Sequence, residues 1–267
     1  METPGTAEPG GRLGPDPGSV GSFQASYRVR FDEAGADGLA RASTLLRLAQ
    51  DMAWQHGSAV GLERSWYETE GLAWLVRAVD LRMVDPIQAG ADLNAVTSVT
   101  GYRRSWARRR VVFRVAGVDD GPDAEAWTDW VLVDRRGRMV RIPESFGARF
   151  HAAGSEIELT RVRLDPTPLD ARRAELRVRP HEVDPNGHLN NAVHLDWLDE
   201  AVAAAGGREA ISTFPRRYRL EYVTPLLPDA AAAIVTWPSG RAWQVEMSGE
   251  GGESVARGLL DSGPGPD

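Results

Sequence analysis

Immediately before an amphipathic segment, the chain reads Asp184-Pro185-Asn186-Gly187-His188-Leu189-Asn190-Asn191. The run places an acid, an amide and an imidazole at alternate positions. In an extended segment, residues i, i+2 and i+4 point to the same side, so we expect Asp184, Asn186 and His188 to converge. Pro185 keeps Asp184 extended, and Gly187 lets the chain turn before a helix expected from about Asn190. The run therefore predicts a catalytic loop.

The same pattern occurs earlier in the chain without its polar trio. Arg28-Val29-Arg30 matches Arg177-Val178-Arg179 at an offset of 149 (177 − 28). At this offset the three polar residues of the loop fall opposite Gly35, Asp37 and Leu39. The two matching segments indicate an internal duplication in which only the second copy carries the chemistry.

A second match supports the duplication and locates an insertion. Residues 81–86 match residues 220–225 at an offset of 139 (220 − 81). The offsets differ by 10 (149 − 139), so the first copy holds about ten extra residues between its helix and the following strand. These extra residues lie within 57–75, a segment that includes Trp66 and Trp74.

Composition limits the classes of protein to which the chain can belong. Hydrophobic residues make up 42% and charged residues 26%, as in ordinary globular proteins. No stretch reaches the roughly 18 apolar residues of a membrane span, and a net charge of −7 argues against nucleic-acid binding. With no cysteine, thiol nucleophiles and thiolate metal sites are excluded. Without a membrane span or signal peptide, we expect a cytoplasmic protein. We expect no cofactor and no metal: His181, His188 and His194 share no helical face on which they could bind a metal ion together.

The pattern of apolar residues and turns divides the chain into five segments. Residues 1–21 are predicted to be a disordered leader and not a signal peptide. Residues 22–150 and 174–261 each read as a strand, one long helix and several strands, joined by a linker over 151–173; residues 262–267 form a disordered tail. Ser43 is the candidate N-cap of the first helix. We expect an α+β fold in which each antiparallel sheet curls round one long helix.

The catalytic loop and the helix after it carry a family resemblance. Residues 183–197 resemble the D-x-N-x-H-[VL]-N-N-x-x-[YH]-x-x-W signature of the acyl-ACP thioesterases of plants and bacteria. The likeness extends from about Tyr27 to Leu260, and includes Ile142-Pro143-Glu144 and Leu220-Glu221-Tyr222. It implies a tandem hotdog fold, in which the N-terminal hotdog shapes the acyl pocket and the C-terminal hotdog carries catalysis.

The sequence departs from the family at one place. Plant members have a Glu-Cys pair a few residues after Leu-Glu-Tyr, whereas this chain has Pro225 and Leu226. Whatever that pair does in other members must be done here by another group, or by water that is held differently.

Thioester hydrolysis needs an activated water or a nucleophile, and donors for the oxyanion. His188 is a candidate base, Asn186 a candidate amide donor, and Asp184 a group that orients His188 or acts itself as base or nucleophile. Asn190 and Asn191 are candidate helix caps, with a second role at the oxyanion. His194 is expected on the helix surface or at an interface, and His56 is expected to be structural.

Basic residues cluster in one stretch of this acidic chain, residues 102–110. Arg103, Arg104, Arg108 and Arg109 are candidates for docking the acidic surface of an acyl carrier protein or the phosphates of coenzyme A. The alternative is a solvated strand and turn whose charges are neutralised by the protein's own acids.

The leading hypothesis is therefore a thioesterase that hydrolyses fatty acyl-ACP, with Trp66 and Trp74 lining the acyl pocket. An acyl-CoA thioesterase has the same chemistry, and a non-catalytic acyl-binding hotdog protein is consistent with the missing Glu-Cys pair. A hotdog hydratase is a rival from another enzyme class, with a similar D-x-N-P-x-H motif. The Asp-to-His interval in that motif is five, while the interval here is four (188 − 184), which argues against a hydratase. Because the duplication supplies a paired unit within one chain, both a monomer and a homodimer are compatible with the sequence.

Overall fold

The computed structural model describes residues 21–118, 121–152 and 157–263. The leader predicted over 1–21 lies, apart from Gly21, outside the described residues, and so do residues 264–267 of the predicted tail. The described strands are β1 (Ser22–Arg28), β2 (Leu72–Met83), β3 (Asp92–Arg103), β4 (Trp106–Val115), β5 (Ala124–Asp134), β6 (Arg172–Arg177), β7 (Arg216–Tyr222), β8 (Ala231–Ser239), β9 (Ala242–Gly249) and β10 (Ser254–Ser262). The described helices are α1 (Ala42–Ala59), α2 (Arg64–Glu70), α3 (Glu144–Phe150), α4 (Val193–Ala204) and α5 (Arg208–Ser212).

The two long helices begin at other residues than the sequence predicted. Arg41 is the N-cap of α1, so the prediction of Ser43 was wrong: Ser43 lies inside the helix, where its hydroxyl accepts a hydrogen bond from Arg47. Helix α4 begins at Val193 and not at about Asn190, because the residues before it form a turn. Among the described helices, none has the length and apolar character needed to cross a bilayer.

All the strands form a single antiparallel sheet whose order repeats about its centre. The order is β1-β3-β4-β5-β2-β7-β10-β9-β8-β6, so each half contributes five neighbouring strands in corresponding positions. The halves join where β2 pairs with β7, and there Asp80 lies opposite Arg219 (219 − 80 = 139). On the helices, Arg47 pairs with Asp196 at 2.9 Å (196 − 47 = 149). Both offsets read from the sequence therefore relate equivalent residues about one pseudo-twofold axis.

The main core fills the space between the sheet and the two long helices. Its buried residues include Leu45 and Met52 of α1, Leu195 and Leu198 of α4, and Tyr218 of β7. These side chains come from both halves, and α1 packs against α4 across the axis. The fold is thus α+β, as predicted, with each five-stranded half of the single antiparallel sheet covering one long helix.

A second, smaller core lies at one end of the N-terminal half. Its buried members are Leu62, Val99, Ala107, Leu132, Ile142, Phe146 and Phe150. Helices α2 and α3, which the sequence analysis did not predict, supply part of it, together with the half-buried Trp66 and Trp74. This second core surrounds the insertion that distinguishes the first copy from the second.

The connection between the halves crosses the sheet as an extended segment. Residues 157–171 contain no helix or strand, and β6 begins at Arg172, inside the predicted linker of 151–173. The Thr160 N–H donates to Asp129 at 2.6 Å, and the Asp165 N–H donates to Gln244 at 2.7 Å. Because these acceptors belong to β5 and β9, the segment is anchored to both halves.

Candidate active site

The catalytic loop is a tight turn held by its own backbone. The Gly187 N–H donates to the Asp184 carbonyl at 2.9 Å, and the Asp184 N–H donates to the His188 carbonyl at 3.0 Å. Pro185 takes the second position of the turn, where its fixed φ is favourable. Gly187 has a φ of 82°, the left-handed backbone that glycine adopts at no steric cost. The polar trio thus converges through a turn, and not through the extended segment that the sequence analysis assumed.

The first half contains the same turn with different side chains. The Gly38 N–H donates to Gly35 at 3.0 Å, the Gly35 N–H donates to Leu39 at 2.8 Å, and Gly38 has a φ of 78°. The residue after each turn is held in the same way by a later loop of the same half. The Ala40 N–H donates to the Ile87 carbonyl, and the Leu189 N–H donates to the Leu226 carbonyl, both at 2.8 Å. The backbone of the turn is therefore duplicated, whereas Asp184, Asn186 and His188 occur only in the second copy.

Asp184 is the anchor of the loop. One carboxylate oxygen accepts the backbone N–H of Asn186 at 2.8 Å, and the other lies 3.4 Å from the Asn186 side-chain amide nitrogen. The Asp184 side chain is 10% exposed, whereas Asn186 is exposed. The acid is thus sheltered while the amide stands at the surface of the loop.

His188 lies beside this acid with one ring nitrogen directed inward. Its Nδ1 is 3.8 Å from the Asp184 carboxylate and 3.4 Å from the Leu189 carbonyl oxygen. The distance to the acid suits charge stabilisation, although it is too long for a direct hydrogen bond. The imidazole side chain is 20% exposed, so solvent reaches it. Asp184, Asn186 and His188 are brought together by the loop.

The two asparagines organise the turn into α4. Asn190 Oδ1 accepts the Ala192 N–H at 2.8 Å, and the Asn190 carbonyl accepts the Val193 N–H at 2.9 Å. These two N–H groups at the helix start are therefore occupied and are not free oxyanion donors. The Asn191 carbonyl accepts a hydrogen bond from the Tyr222 hydroxyl at 2.9 Å.

Two buried rings support the loop from below. His194 is 3% exposed, so the expectation of a surface histidine was wrong. Burial lowers the pKa of His194 to about 4 and keeps the ring neutral near pH 7. His194 packs edge-to-face on Tyr222, with 5.1 Å between ring centroids. The Leu220-Glu221-Tyr222 resemblance marked this strand, but nothing in the sequence revealed the contact.

The residues at the position of the Glu-Cys pair play structural roles. Leu226 is buried in the main core, and its carbonyl accepts the Leu189 N–H behind the catalytic loop. Pro225 is exposed. Neither side chain offers an acid, a base or a nucleophile, so neither can replace the Glu-Cys pair chemically.

Trp66 and Trp74 lie together at the second core. They line a small apolar cavity with room for about one water molecule. The other lining residues are Leu62, Tyr67, Leu132, Pro143, Ser145 and Phe146. The Trp74 indole N–H donates to the Tyr67 hydroxyl at 3.1 Å, which ties β2 to α2.

The four arginines proposed for carrier docking do not form one surface. Arg103 and Arg104 are exposed at the turn between β3 and β4. Arg108 pairs with the buried Asp129 at 3.0 Å and also donates to the linker carbonyl of Glu158, so it is committed within the fold. Arg109 is 6% exposed and points into the N-terminal half. The docking assignment was wrong for Arg108 and Arg109.

Comparisons with known proteins agree with this architecture. The family model of the acyl-ACP thioesterase N-terminal domain matches residues 21–150, and that of the C-terminal domain matches residues 168–248. An acyl-ACP thioesterase from Bacteroides thetaiotaomicron superposes with a TM-score of 0.75 at 15% identity, covering 90% of this chain and 97% of its own. The 12:0-ACP thioesterase from Umbellularia californica has a TM-score of 0.75 at 19% identity, covering 90% and 96%. These neighbours confirm the predicted tandem hotdog fold.

Sequence relatives come from plants. The chain is 24% identical over 223 residues to a chloroplastic palmitoyl-acyl carrier protein thioesterase of Arabidopsis thaliana, covering 74% of this chain and 52% of that protein. It is also 24% identical over 200 residues to a chloroplastic acyl-[acyl-carrier-protein] hydrolase of Cuphea viscosissima, covering 67% and 47%. The chain thus spans about half the length of these relatives. With both family models matched in order along one chain, the protein belongs to the acyl-ACP thioesterase family.

Proposed function

We propose that this protein hydrolyses fatty acyl thioesters of acyl carrier protein to the free acid and the carrier thiol. One observation carries the proposal: two copies of the same turn exist, and only the second carries Asp184, Asn186 and His188. A turn needs none of these three side chains to form, since Gly35, Asp37 and Leu39 support the same backbone in the first copy. The trio is therefore present for chemistry.

In the proposed mechanism, His188 is the general base and Asp184 positions and stabilises it. Both oxygens of Asp184 already face Asn186 donors, which favours a supporting role over nucleophilic attack. His188 turns Nδ1 towards the acid and leaves Nε2 for a water molecule. Nε2 takes the proton as the water oxygen attacks the thioester carbonyl, and the exposed Asn186 amide donates to the oxyanion. When the C–S bond breaks, the imidazolium returns the proton to the thiolate.

The acyl chain is proposed to enter the N-terminal half at the second core. The catalytic loop is tied to the end of β7 through Tyr222, and β7 pairs with β2. Past this junction, β2 continues to Trp74 and Leu72, which belong to the second core. This continuity supports Trp66 and Trp74 as residues that shape the acyl pocket. Their cavity has room for about one water molecule, so the side chains around it must move apart to admit an acyl chain.

The decisive experiment measures hydrolysis of acyl-ACPs with chains from about eight to about eighteen carbons. Asp184→Ala and His188→Ala are each expected to lower kcat/KM by at least about 100-fold. Matched controls are Asp37→Ala, in the equivalent turn, and His181→Ala, an exposed histidine; both should stay near wild type. No wild-type turnover, or equal losses in the controls, would overturn the proposal.

Carrier recognition is proposed to involve Arg103 and Arg104, which lie at the same end of the sheet as the catalytic loop. Arg104→Glu should raise KM for acyl-ACP at least about fivefold, because it places a negative charge where the acidic carrier would bind. The KM of a small acyl thioester, which has no carrier protein to contact Arg104, should stay unchanged. Arg114→Glu, at the other end of β4, is the control. Equal effects on both substrates would contradict docking. Comparing kcat/KM for acyl-ACP with that for acyl-CoA of the same chain length shows which of the two carriers the protein prefers.

A further inference from the structure

Arg109 is a buried cation without an acid beside it. Arg109 is only 6% exposed, and within the described part of the chain its guanidinium forms no ion pair with a carboxylate. Its neighbours on β4 differ: Arg108 pairs with Asp129, and Arg110 pairs with Glu125. The charge of Arg109 is therefore the unbalanced one of three consecutive arginines.

The surroundings of Arg109 hold it in place. Nη1 donates to Thr97 Oγ1 at 3.1 Å and lies 3.0 Å from His56 Nδ1, while the guanidinium stands 5.5 Å from the centre of the Phe150 ring. Burial lowers the pKa of His56 to about 3, and the charge of Arg109 adds to this, so the histidine is a neutral acceptor. A guanidinium has five N–H groups. The two hydrogen bonds that Arg109 makes with side chains of the described residues both come from Nη1; Nε and Nη2 are not among the fully buried nitrogens that lack a partner.

Arg109 adjoins the proposed acyl pocket. Phe150, below its guanidinium, contacts Phe146 with 4.6 Å between ring centroids, and Phe146 lines the cavity beside Trp66 and Trp74. Tyr67, another lining residue, lies near enough for the charge of Arg109 to lower its pKa against the larger effect of burial. The cation thus stands behind the apolar wall of the cavity.

The distance from the catalytic loop suits the far end of an acyl chain. Arg109 pairs with Thr128, Thr128 with Val79, and Val79 with Leu220 of β7. Three strand spacings separate Arg109 from β7, or about 14 Å. Tyr222, two residues beyond Leu220, holds the turn that follows His188. A fatty acyl chain that runs from His188 into the second core can therefore reach the strand that carries Arg109.

We propose that the N-terminal half accepts acyl chains that carry a carboxylate at their distal end, and that Arg109 binds this carboxylate. The inference rests on the proposed thioesterase function and names its substrate class. A carboxylate accepts two parallel N–H bonds from one guanidinium, and so supplies the opposite charge that Arg109 lacks. A methyl end supplies no charge and leaves the buried charge uncompensated.

The test compares three acyl-ACPs of equal chain length that end in a methyl, a hydroxyl or a carboxyl group. Wild type should hydrolyse the carboxyl-ended chain with a kcat/KM at least about tenfold above the methyl-ended one. Arg109→Met should abolish this preference, and Arg114→Met, the same change on the exposed side of β4, should keep it. Preference for the methyl or hydroxyl end in wild type overturns the inference, even if Arg109→Met fails to fold.

A binding measurement separates this inference from the thioesterase proposal. The Asp184→Ala variant is titrated by calorimetry with a free long-chain dicarboxylic acid and with the monocarboxylic acid of equal length. Tighter binding of the dicarboxylic acid, by at least about tenfold, supports the role of Arg109 whether or not turnover is found. Equal binding overturns it, even if wild type hydrolyses acyl-ACP.

Discussion

Arg108, Arg109 and Arg110 show how one strand separates neighbouring residues. Side chains of a β-strand alternate between faces, and in β4 the buried positions are Ala107, Arg109, Val111 and Phe113. Arg109 therefore shares a face with apolar residues, while Arg108 faces the linker. The sequence of β4 shows this two-residue alternation, but its three consecutive arginines were interpreted as a basic surface. Arg109 was therefore assigned to a docking surface, and only the packing of β4 in the folded protein shows that it is the buried one.

The buried histidine below the catalytic loop predicts an acid-sensitive fold. An unfolded histidine titrates near pH 6.5, whereas His194 stays neutral in the folded protein down to about pH 4. Between these values the unfolded chain binds the extra proton, so stability falls as the pH decreases. From pH 7 to pH 5 this one residue should cost about 2 kcal/mol. Urea unfolding at both pH values measures the loss.

The variant His194→Gln should remove that share of the acid-dependent loss. The remaining slope has two opposing sources: the pKa of His56 is also lowered, to about 3, by burial and by Arg109. Burial raises the pKa of Asp199 to about 7, so this acid gains stability as the pH falls and offsets part of the loss. His181→Gln is the matched control, since His181 is exposed. Identical pH slopes for wild type and His194→Gln would show that the buried ring does not titrate as described.

At the scale of elements, the length of a helix decided whether the sequence predicted it. The long helices α1 and α4 repeat their apolar residues over several turns and were predicted. The missed helices α2, α3 and α5 have 7, 7 and 5 residues, too few for a helical period to repeat. Such short helices form because tertiary contacts hold them. In α2, Gly71 ends the helix in left-handed backbone, and Trp66 and Tyr67 pack on the second core.

Helix α2 and β2 are expected to set the length of the acyl chain. Trp66→Ala and Trp74→Ala each remove an indole from the cavity wall and should shift the preferred acyl-ACP towards longer chains. The ratio of kcat/KM for long and short chains should change by at least about tenfold. The loss of stability should stay below about 3 kcal/mol, because both rings are only half-buried. Trp54→Ala, at an exposed position of α1, is the control; unchanged selectivity would refute the assignment.

For the whole molecule, the continuous sheet makes the two halves depend on one another. Strand β2 pairs with β7 from Ala78 to Met83, and Arg217 forms two hydrogen bonds with the buried Asp80 across this junction. The main core draws side chains from both halves. Separating them would expose a sheet edge in each half and uncover this core.

We therefore predict one cooperative unfolding transition. Thermal unfolding followed by far-UV circular dichroism and by tryptophan fluorescence should give the same midpoint, because tryptophans lie in both halves. A useful reference is Asp80→Ala, which weakens the junction and should lower both midpoints together. Two separate transitions in wild type would show that the halves are independent domains.

The sequence by itself determined the features that depend on residues a few positions apart. These include the convergence of the polar trio, the need for a flexible residue at Gly187, the duplication, and nearly all of the long elements; the turn that brings the trio together was not among them. The tertiary structure decided the burial of His194, the inward side of Arg109 and the pairing of β2 with β7. Each of these joins positions distant in the chain, as Arg47 meets Asp196 across the axis. Local conformational preferences act through near neighbours, whereas burial is set by packing between distant segments, which no single stretch of sequence encodes.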